Sequence, residues 1–254
     1  MITKRGDLTD GLQGFLASVG VTIDPQLYDE HLWQKLGICF PSSLKTACRK
    51  RKAEYLAGRY CIRQSMEQAG FVPGSPFSIR SGKHREPLWP EGWTGSVTHS
   101  HQLAMAAVAP RHLCRSLGLD LEKRLSEKSF AAIRHAVLFN SEPGLLESVR
   151  GEGESAVRSC ATLIFSAKES IFKAIFPHVG IYFGFEDANI TAIDWQRKTF
   201  SFRLTRTLGP DFQDGYTGDG TFRMLNPEPD DEENLFVRTC VVIFQVGDDT
   251  GYLW

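Results

Sequence analysis

Two carboxylates stand two positions apart in Gly118-Leu119-Asp120-Leu121-Glu122. In a strand, Leu117, Leu119 and Leu121 turn to one face, while Gly118, Asp120 and Glu122 share the other. Like charges this close repel each other unless a cation or a basic group sits between them. For a bare Asp-x-Glu the ordinary explanation is a strand end that shows acids to water. The pair is also the oxygen set that Mg²⁺ prefers, with water and substrate phosphates completing its octahedron. A third carboxylate, Glu169, lies in Phe165-Ser166-Ala167-Lys168-Glu169-Ser170-Ile171-Phe172-Lys173. Glu169 and Lys173 are four apart and share a helical face. A surface ion pair of that kind contributes only a few tenths of a kcal/mol. The stretch is otherwise apolar (Ile164, Phe165, Ile171, Phe172, Ile175, Phe176), so its charged face is expected to line a cleft. Three carboxylates and an ammonium make a metal–phosphate site, a more specific signal than either part alone.

Basic residues gather elsewhere. Lys45, Arg49, Lys50, Arg51, Lys52, Arg59 and Arg63 fall in one stretch whose single acid is Glu54. Such a run is usually a solvated helix face. Arg51 and Arg59, however, are eight positions apart, about two turns, and so lie on one side of a helix. Arginine suits bidentate phosphate contacts. A third piece, Gly95-Ser96-Val97-Thr98-His99-Ser100-His101, puts glycine before small hydroxyl residues, a pattern that offers N–H and O–H groups to phosphate. His99 and His101 could instead ligate a metal. The carboxylates already supply a site for a hard cation, which makes that the weaker alternative.

Elements must position these groups. Ser42–Gln68 is free of proline, has a candidate N-cap at Ser42 or Ser43, and stops at Gly70, which predicts a helix. Phe71–Gly95 is rich in proline and glycine and reads as loop. Strands are expected at Ser96–Thr98, Leu103–Ala109 and Ser116–Glu122. Helices are expected over Ser126–Phe139 and from Ser155 to Ile175, the latter ended by Pro177. Asn189–Trp195 with Thr199–Thr205, and Thr221–Leu225 with Leu235–Val246, suggest two hairpins. The loop Asn226–Asn234 carries five acids and no base and reads as a solvated turn. Residues 1–41 resist assignment, and the chain divides into two α+β halves meeting near residues 115–120.

The 254 residues are enough for one or two domains. With 29 Lys+Arg against 30 Asp+Glu, the net charge of −1 argues against a generic nucleic-acid binder. No apolar run approaches the ~20 residues of a membrane span. Met1–Gly20 lacks the uninterrupted apolar stretch of a signal peptide. The six scattered cysteines show neither zinc spacing nor a disulfide framework. A cytoplasmic protein is expected.

Five segments follow one another in order: Arg51-Lys52-Ala53-Glu54-Tyr55-Leu56-Ala57-Gly58-Arg59, Arg85-Glu86-Pro87-Leu88-Trp89-Pro90, Gly95–His99, Gly118–Glu122 and Phe165–Ser170. Together they resemble the 4′-phosphopantetheinyl transferase superfamily, in particular the bacterial enterobactin-synthetase component D type. The resemblance runs from about Ala47 to Ile193. Phe165 stands where the family often has Trp, and Leu119 and Leu121 stand where Ile is commoner. Both changes preserve apolar anchors and leave the acid face untouched.

The resemblance implies an α+β fold of two similar halves, a pseudo-dimer within one chain, with the active site between them. Residues 1–117 would form the N-terminal half, with the basic helix and the GSVTH loop. Residues 118–254 would form the C-terminal half, with the acids and the KES helix. It implies transfer of the 4′-phosphopantetheine arm of coenzyme A to a serine of an acyl or peptidyl carrier protein, releasing adenosine 3′,5′-bisphosphate. By family position Asp120, Glu122 and Glu169 are the expected ligands of Mg²⁺, with Mn²⁺ an alternative. Arg51, Arg59, Arg80 and His99 are the expected coenzyme A contacts, with Ser96 and Thr98 near the phosphates and Lys173 near the pyrophosphate. The expected partners are coenzyme A and a carrier protein, without nucleic acid or membrane, and the chain should act as a monomer. On chemical grounds Glu169 is the expected proton acceptor for the serine, and Lys173 stabilises the departing group. Without the resemblance, the same acids and bases also fit a Mg²⁺-dependent phosphoesterase or pyrophosphatase, or a non-catalytic coenzyme A-binding module.

Overall fold

The computed structural model describes residues 2–226 and 234–244. The first half of the chain runs β1 (Ile2–Lys4), β2 (Ala17–Ile23), α1 (His31–Lys35), α2 (Arg49–Gln68), β3 (Trp93–Ser100) and β4 (Leu103–Pro110). Its strands form an antiparallel sheet of order β1-β2-β4-β3. The second half runs β5 (Ser116–Lys123), α3 (Glu127–Val137), α4 (Glu142–Ser148), α5 (Glu154–Val179), β6 (Ala188–Asp194), β7 (Thr199–Leu204), β8 (Thr217–Leu225) and β9 (Phe236–Ile243). These strands form a second antiparallel sheet of order β5-β9-β8-β7-β6. Both halves share a plan. A strand (β2 or β5) leads to a long helix (α2 or α5) and then pairs with the last strand of a later hairpin (β3–β4 or β8–β9). The second half adds the hairpin β6–β7. The chain thus has an α+β fold of two similar halves, as expected.

Burial explains the sequence patterns. Strand β4, LAMAAVAP, is a continuous apolar run because both its faces are covered. Ala104, Ala106 and Val108 pack with Leu56, Ala57 and Ile62 of α2. Leu103, Met105, Ala107 and Ala109 join Leu117, Leu119 and Leu121 of β5 in an apolar layer between the two sheets. That layer uses up the leucine face of β5, so the opposite face carrying Gly118, Asp120 and Glu122 meets α5. Gly118 permits the approach: a Cβ there would run into the Ser170 carbonyl and stand 2.7 Å from the Ala174 nitrogen. This one missing side chain lets the helix bearing Glu169 and Lys173 lie on the strand bearing the acids.

Several boundaries differ from the sequence expectation. Ser42–Leu44 is a separate 3-10 turn, and α2 begins only at Arg49, after an extended Cys48 (φ −65°, ψ 159°). Pro177 does not end α5, which continues to Val179; Gly180, at φ 65°, stops it and returns its N–H to Phe176 O. A proline in the last turn removes one hydrogen bond without blocking the turn that follows. Strands β1 and β2 and helices α1 and α4 come from segments the sequence left unassigned. Of the acidic loop Asn226–Asn234, residues 227–233 lie outside the described residues.

His178, near the end of α5, ties the helix to β5. Ser116 Oγ donates to Ala174 O (2.6 Å), and His178 Nε2 lies 2.8 Å from Ser116 Oγ. Burial, reinforced by Arg115 and Arg111, pushes the His178 pKa down to about 4. The unfolded chain, with an ordinary histidine near 6.5, takes up this proton first. The stability contributed by the neutral ring is therefore complete above about pH 6.5 and lost as pH falls towards 4. The difference in unfolding free energy between wild type and His178→Gln should change across that window and be flat above it. Parallel pH–stability curves for the two proteins would contradict this.

Candidate active site

Strand β3 brings the halves together. Its even residues point at β5 and bond it in step: Ser96 Oγ accepts from Leu119 N (3.0 Å), Thr98 Oγ1 donates to Asp120 Oδ1 (3.2 Å), and Ser100 Oγ donates to Glu122 Oε2 (3.3 Å). All three hydroxyl residues are buried. Gly95–Thr98 is therefore the interior of a strand, and Thr98 serves the acid strand directly. The odd residues Gly95, Val97 and His99 face a cleft of about 300 Å³. Gly95 is required there because a Cβ would stand 2.6 Å from Trp89 Cη2. Gly58 of α2 likewise lies close under Val97.

Helix α2 supplies one wall through Arg51, Tyr55 and Arg59, spaced four apart; α5 supplies the other through Glu169, Phe172 and Lys173. The basic run sorts itself by partner. Arg49 donates to Tyr28 O, Lys52 pairs with Glu30, Lys50 with Glu54, and Arg63 with Glu67 and the Leu36 and Gly37 carbonyls. Lys45 lies before α2 and is exposed, and of the basic residues on α2 itself Arg51 and Arg59 are left for the cleft. Arg51 donates to His99 Nε2 (3.1 Å); because a guanidinium can only donate, that ring nitrogen carries no proton. Desolvation by the cleft walls, with the Arg51 charge adding, holds the His99 pKa below its ordinary value. Arg59 is 6% exposed, stacks 4.3 Å over the Tyr55 ring and donates to Ser81 Oγ (3.1 Å). Its Nε is buried without a partner among the described residues, and no described carboxylate pairs with its guanidinium. A buried arginine with spare donors is suited to an anion.

Of the acids, Glu169 lines the cleft, and Asp120 is bonded to the cleft-lining Lys173. Asp120, 3% exposed, accepts Thr98 and Lys173 Nζ (2.6 Å) on Oδ1 and Ser166 Oγ (2.8 Å) on Oδ2. Lys173 also donates to Leu119 O (3.1 Å). Desolvation, together with the charges of Asp120 and Glu169, pushes the Glu122 pKa up to about 7. Burial raises the Glu169 pKa as well, opposed by Lys173. The three carboxyl groups interact with one another and with one ammonium, and the donors are all hard oxygens. That set fits a divalent cation such as Mg²⁺. Among the described residues no three acidic, histidine or cysteine side chains are already drawn into a metal-gripping group. The Lys173 ammonium holds the position against Asp120 Oδ1.

Other expected residues are placed differently. Arg80 is exposed and lines a neighbouring cleft of about 760 Å³, which shares Arg51, Tyr55, Arg59 and Arg85 with the first. His101 sits in the β3–β4 turn at φ 56°, against Phe236, and lines a different cavity from His99. Sequence reasoning missed Tyr55, although its place midway between Arg51 and Arg59 is a usable signal. It also missed Ser166, and Lys168, which points away from the cleft. Lys168 is 2% exposed and donates to Glu142 Oε2 (2.7 Å), Val137 O (2.8 Å) and Phe185 O (2.8 Å).

Comparison with known proteins gives the family. Residues 40–109 match the model of the 4′-phosphopantetheinyl transferase N-terminal domain, and residues 116–219 match that of the 4′-phosphopantetheinyl transferase superfamily. Enterobactin synthase component D of Salmonella typhi is 33% identical over 178 residues, 68% of each chain. The 4′-phosphopantetheinyl transferase PptT of Mycobacterium tuberculosis is 35% identical over 150 residues, 56% of this chain and 59% of its own. The 4′-phosphopantetheinyl transferase Svp of Streptomyces mobaraensis is 32% identical over 174 residues, 66% of this chain and 67% of its own. The two matched segments meet where β3 hands its hydroxyls to β5. The chain belongs to the 4′-phosphopantetheinyl transferase superfamily, enzymes that move phosphopantetheine from coenzyme A to carrier proteins.

Proposed function

We propose that this transfer takes place on the floor of the cleft between α2 and α5, with a divalent cation, Mg²⁺ or Mn²⁺, held by Asp120, Glu122 and Glu169. The observation that carries the reading is the fixed Asp120, bonded from β3 and α5 at once and joined to Lys173, which lines the same cleft as two guanidiniums that no described carboxylate neutralises. When bound, the cation neutralises the diphosphate and makes the phosphoryl centre more electrophilic. Arg51, Arg59 and His99 take the 3′-phosphate end of coenzyme A, and Arg80 reaches the same ligand from the neighbouring cleft. Ser96 and Thr98 act near the phosphates mainly by fixing β5. Lys173 donates to the diphosphate and stabilises the charge left on adenosine 3′,5′-bisphosphate as it departs. Glu169, its proton affinity raised by burial, takes the proton of the carrier serine, a weak nucleophile without such help.

Residues 1–117 in this reading grip the nucleotide and residues 118–254 hold the acids, so one chain suffices and the enzyme works as a monomer. The relatives named enterobactin synthase support siderophore or other secondary-metabolite assembly as its setting. Six free thiols suit the cytoplasm. Among the described residues no helix is long and apolar enough to cross a membrane.

Steady-state kinetics separate the roles. Arg59→Ala should raise KM for coenzyme A by about 10–100-fold, the loss of one charge-assisted contact of about 1.5–3 kcal/mol. Glu169→Gln should lower kcat by at least about 10²-fold even at saturating Mg²⁺. Near-normal turnover of Glu169→Gln under those conditions would remove the proton-acceptor role. An unchanged KM in Arg59→Ala would remove the arginine from the coenzyme A site.

A further inference from the structure

A buried chain of three hydroxyls ends on Asp120. Ser166 and Ser170 are one turn apart on α5, and Thr239 stands directly across from Asp120 in the β5–β9 register. Ser170 Oγ lies 2.6 Å from Thr239 Oγ1, Thr239 Oγ1 lies 2.9 Å from Ser166 Oγ, and Ser166 Oγ donates to Asp120 Oδ2 at 2.8 Å. Thr239 Oγ1 also donates to Ser166 O at 2.9 Å. The three residues are wholly buried.

The direction of the chain follows from proton counting. Each hydroxyl has one proton, and an ionised carboxylate can only accept. Ser166 therefore gives its proton to Asp120, Thr239 shares its proton between Ser166 Oγ and the Ser166 carbonyl, and Ser170 shares its proton between Thr239 Oγ1 and the Thr239 carbonyl (3.2 Å). Each donor polarises the next, and the chain terminates on the Asp120 carboxylate. Apolar side chains of similar volume would fill this helix–sheet seam without the risk of unsatisfied groups. We propose that Ser166, supported by Thr239, is a positioning residue that fixes the carboxylate of Asp120 in the orientation needed to hold the divalent cation. Thr98 bonds Oδ1 from β3 and Ser166 bonds Oδ2 from α5, and the two ends together stop the carboxylate from rotating.

The inference rests on the reading of Asp120 as a cation ligand, and one titration tests both. Mn²⁺ is added to wild type, Asp120→Ala, Ser166→Ala, Thr239→Val and Ser170→Ala without coenzyme A or carrier, with free Mn²⁺ read by electron paramagnetic resonance. Thermal melts of the same proteins supply the control. Ser166→Ala should weaken Mn²⁺ binding by about 10–100-fold, the usual effect of removing a partner that orients a metal ligand. Thr239→Val, nearly isosteric, should weaken it less, and Ser170→Ala should stay within about twofold, so the effect decays along the chain. Ser166→Thr, which keeps the hydroxyl, should restore most of the affinity. Unaltered Mn²⁺ binding in folded Ser166→Ala and Thr239→Val, or losses that follow only the melting temperatures, would overturn the proposal. Wild-type affinity in Asp120→Ala would instead overturn the ligand reading itself.

Discussion

Asp120→Ala should lower kcat/KM for carrier modification by about 10³-fold, ~4 kcal/mol of transition-state stabilisation. The size follows from what meets at this side chain. It is the most buried of the three acids and the one bonded by β3 and α5 together. Its loss removes a cation ligand, frees Lys173 from its 2.6 Å contact, and strands the hydroxyls of Thr98 and Ser166. The fold should survive, because the Lys173 side chain is 27% exposed and can turn to water or to Glu169. Far-UV circular dichroism should therefore match wild type while turnover disappears. Asp120→Ala retaining more than about a tenth of wild-type kcat/KM would show that the reaction does not run through this carboxylate.

The second large effect is on stability. Lys168 and Glu142 form an ion pair in which both side chains are almost completely buried. All three ammonium protons are used, and Glu142 also accepts from Phe139 N (2.7 Å) and Ile190 N (2.8 Å). The pair thereby joins the end of α3, the start of α4, the segment before β6 and the core of α5. Lys168→Met leaves a carboxylate buried without its counter-ion and two carbonyls without donors. Breaking such a pair from one side costs about 3–5 kcal/mol. For a chain of this size that is a fall in melting temperature of roughly 6–20 °C. Lys168 is next to Glu169 in sequence but faces away from the cleft, so the remaining folded protein should keep kcat within about threefold at low temperature. A fully stable but inactive Lys168→Met would place the lysine in the chemistry instead.

The contrast between Lys168 and Glu169 shows what was legible in the sequence. Alternation in Leu117–Glu122 and the four-residue step from Glu169 to Lys173 are local periodicities, and both faces fell where those periods put them. The eight-residue step from Arg51 to Arg59 worked for the same reason, and Arg49, Lys50, Lys52 and Arg63 beside them have structural partners. Partners distant in sequence carry no such period. Glu142 lies 26 residues from Lys168, and Thr239 lies 73 from Ser166. Nothing in either stretch marks the pairing. The N-terminal strands were also hidden. β2 contains Gly20, a weak strand residue by propensity; the glycine is there because Leu8 packs against its Cα, where a Cβ would stand 2.6 Å from Leu8 Cβ. The start of α2 departs from the serine N-cap that its sequence offers because a short 3-10 turn uses the serines and Cys48 opens the helix without a side-chain cap.

The most direct test of the whole account is the intact mass of an apo carrier protein after incubation with the chain and coenzyme A, with Mg²⁺ or with a chelator. One phosphopantetheine adduct per carrier serine is expected in the presence of Mg²⁺ and none with the chelator. No adduct on a set of diverse carriers, or an adduct that forms equally well under chelation, would contradict it.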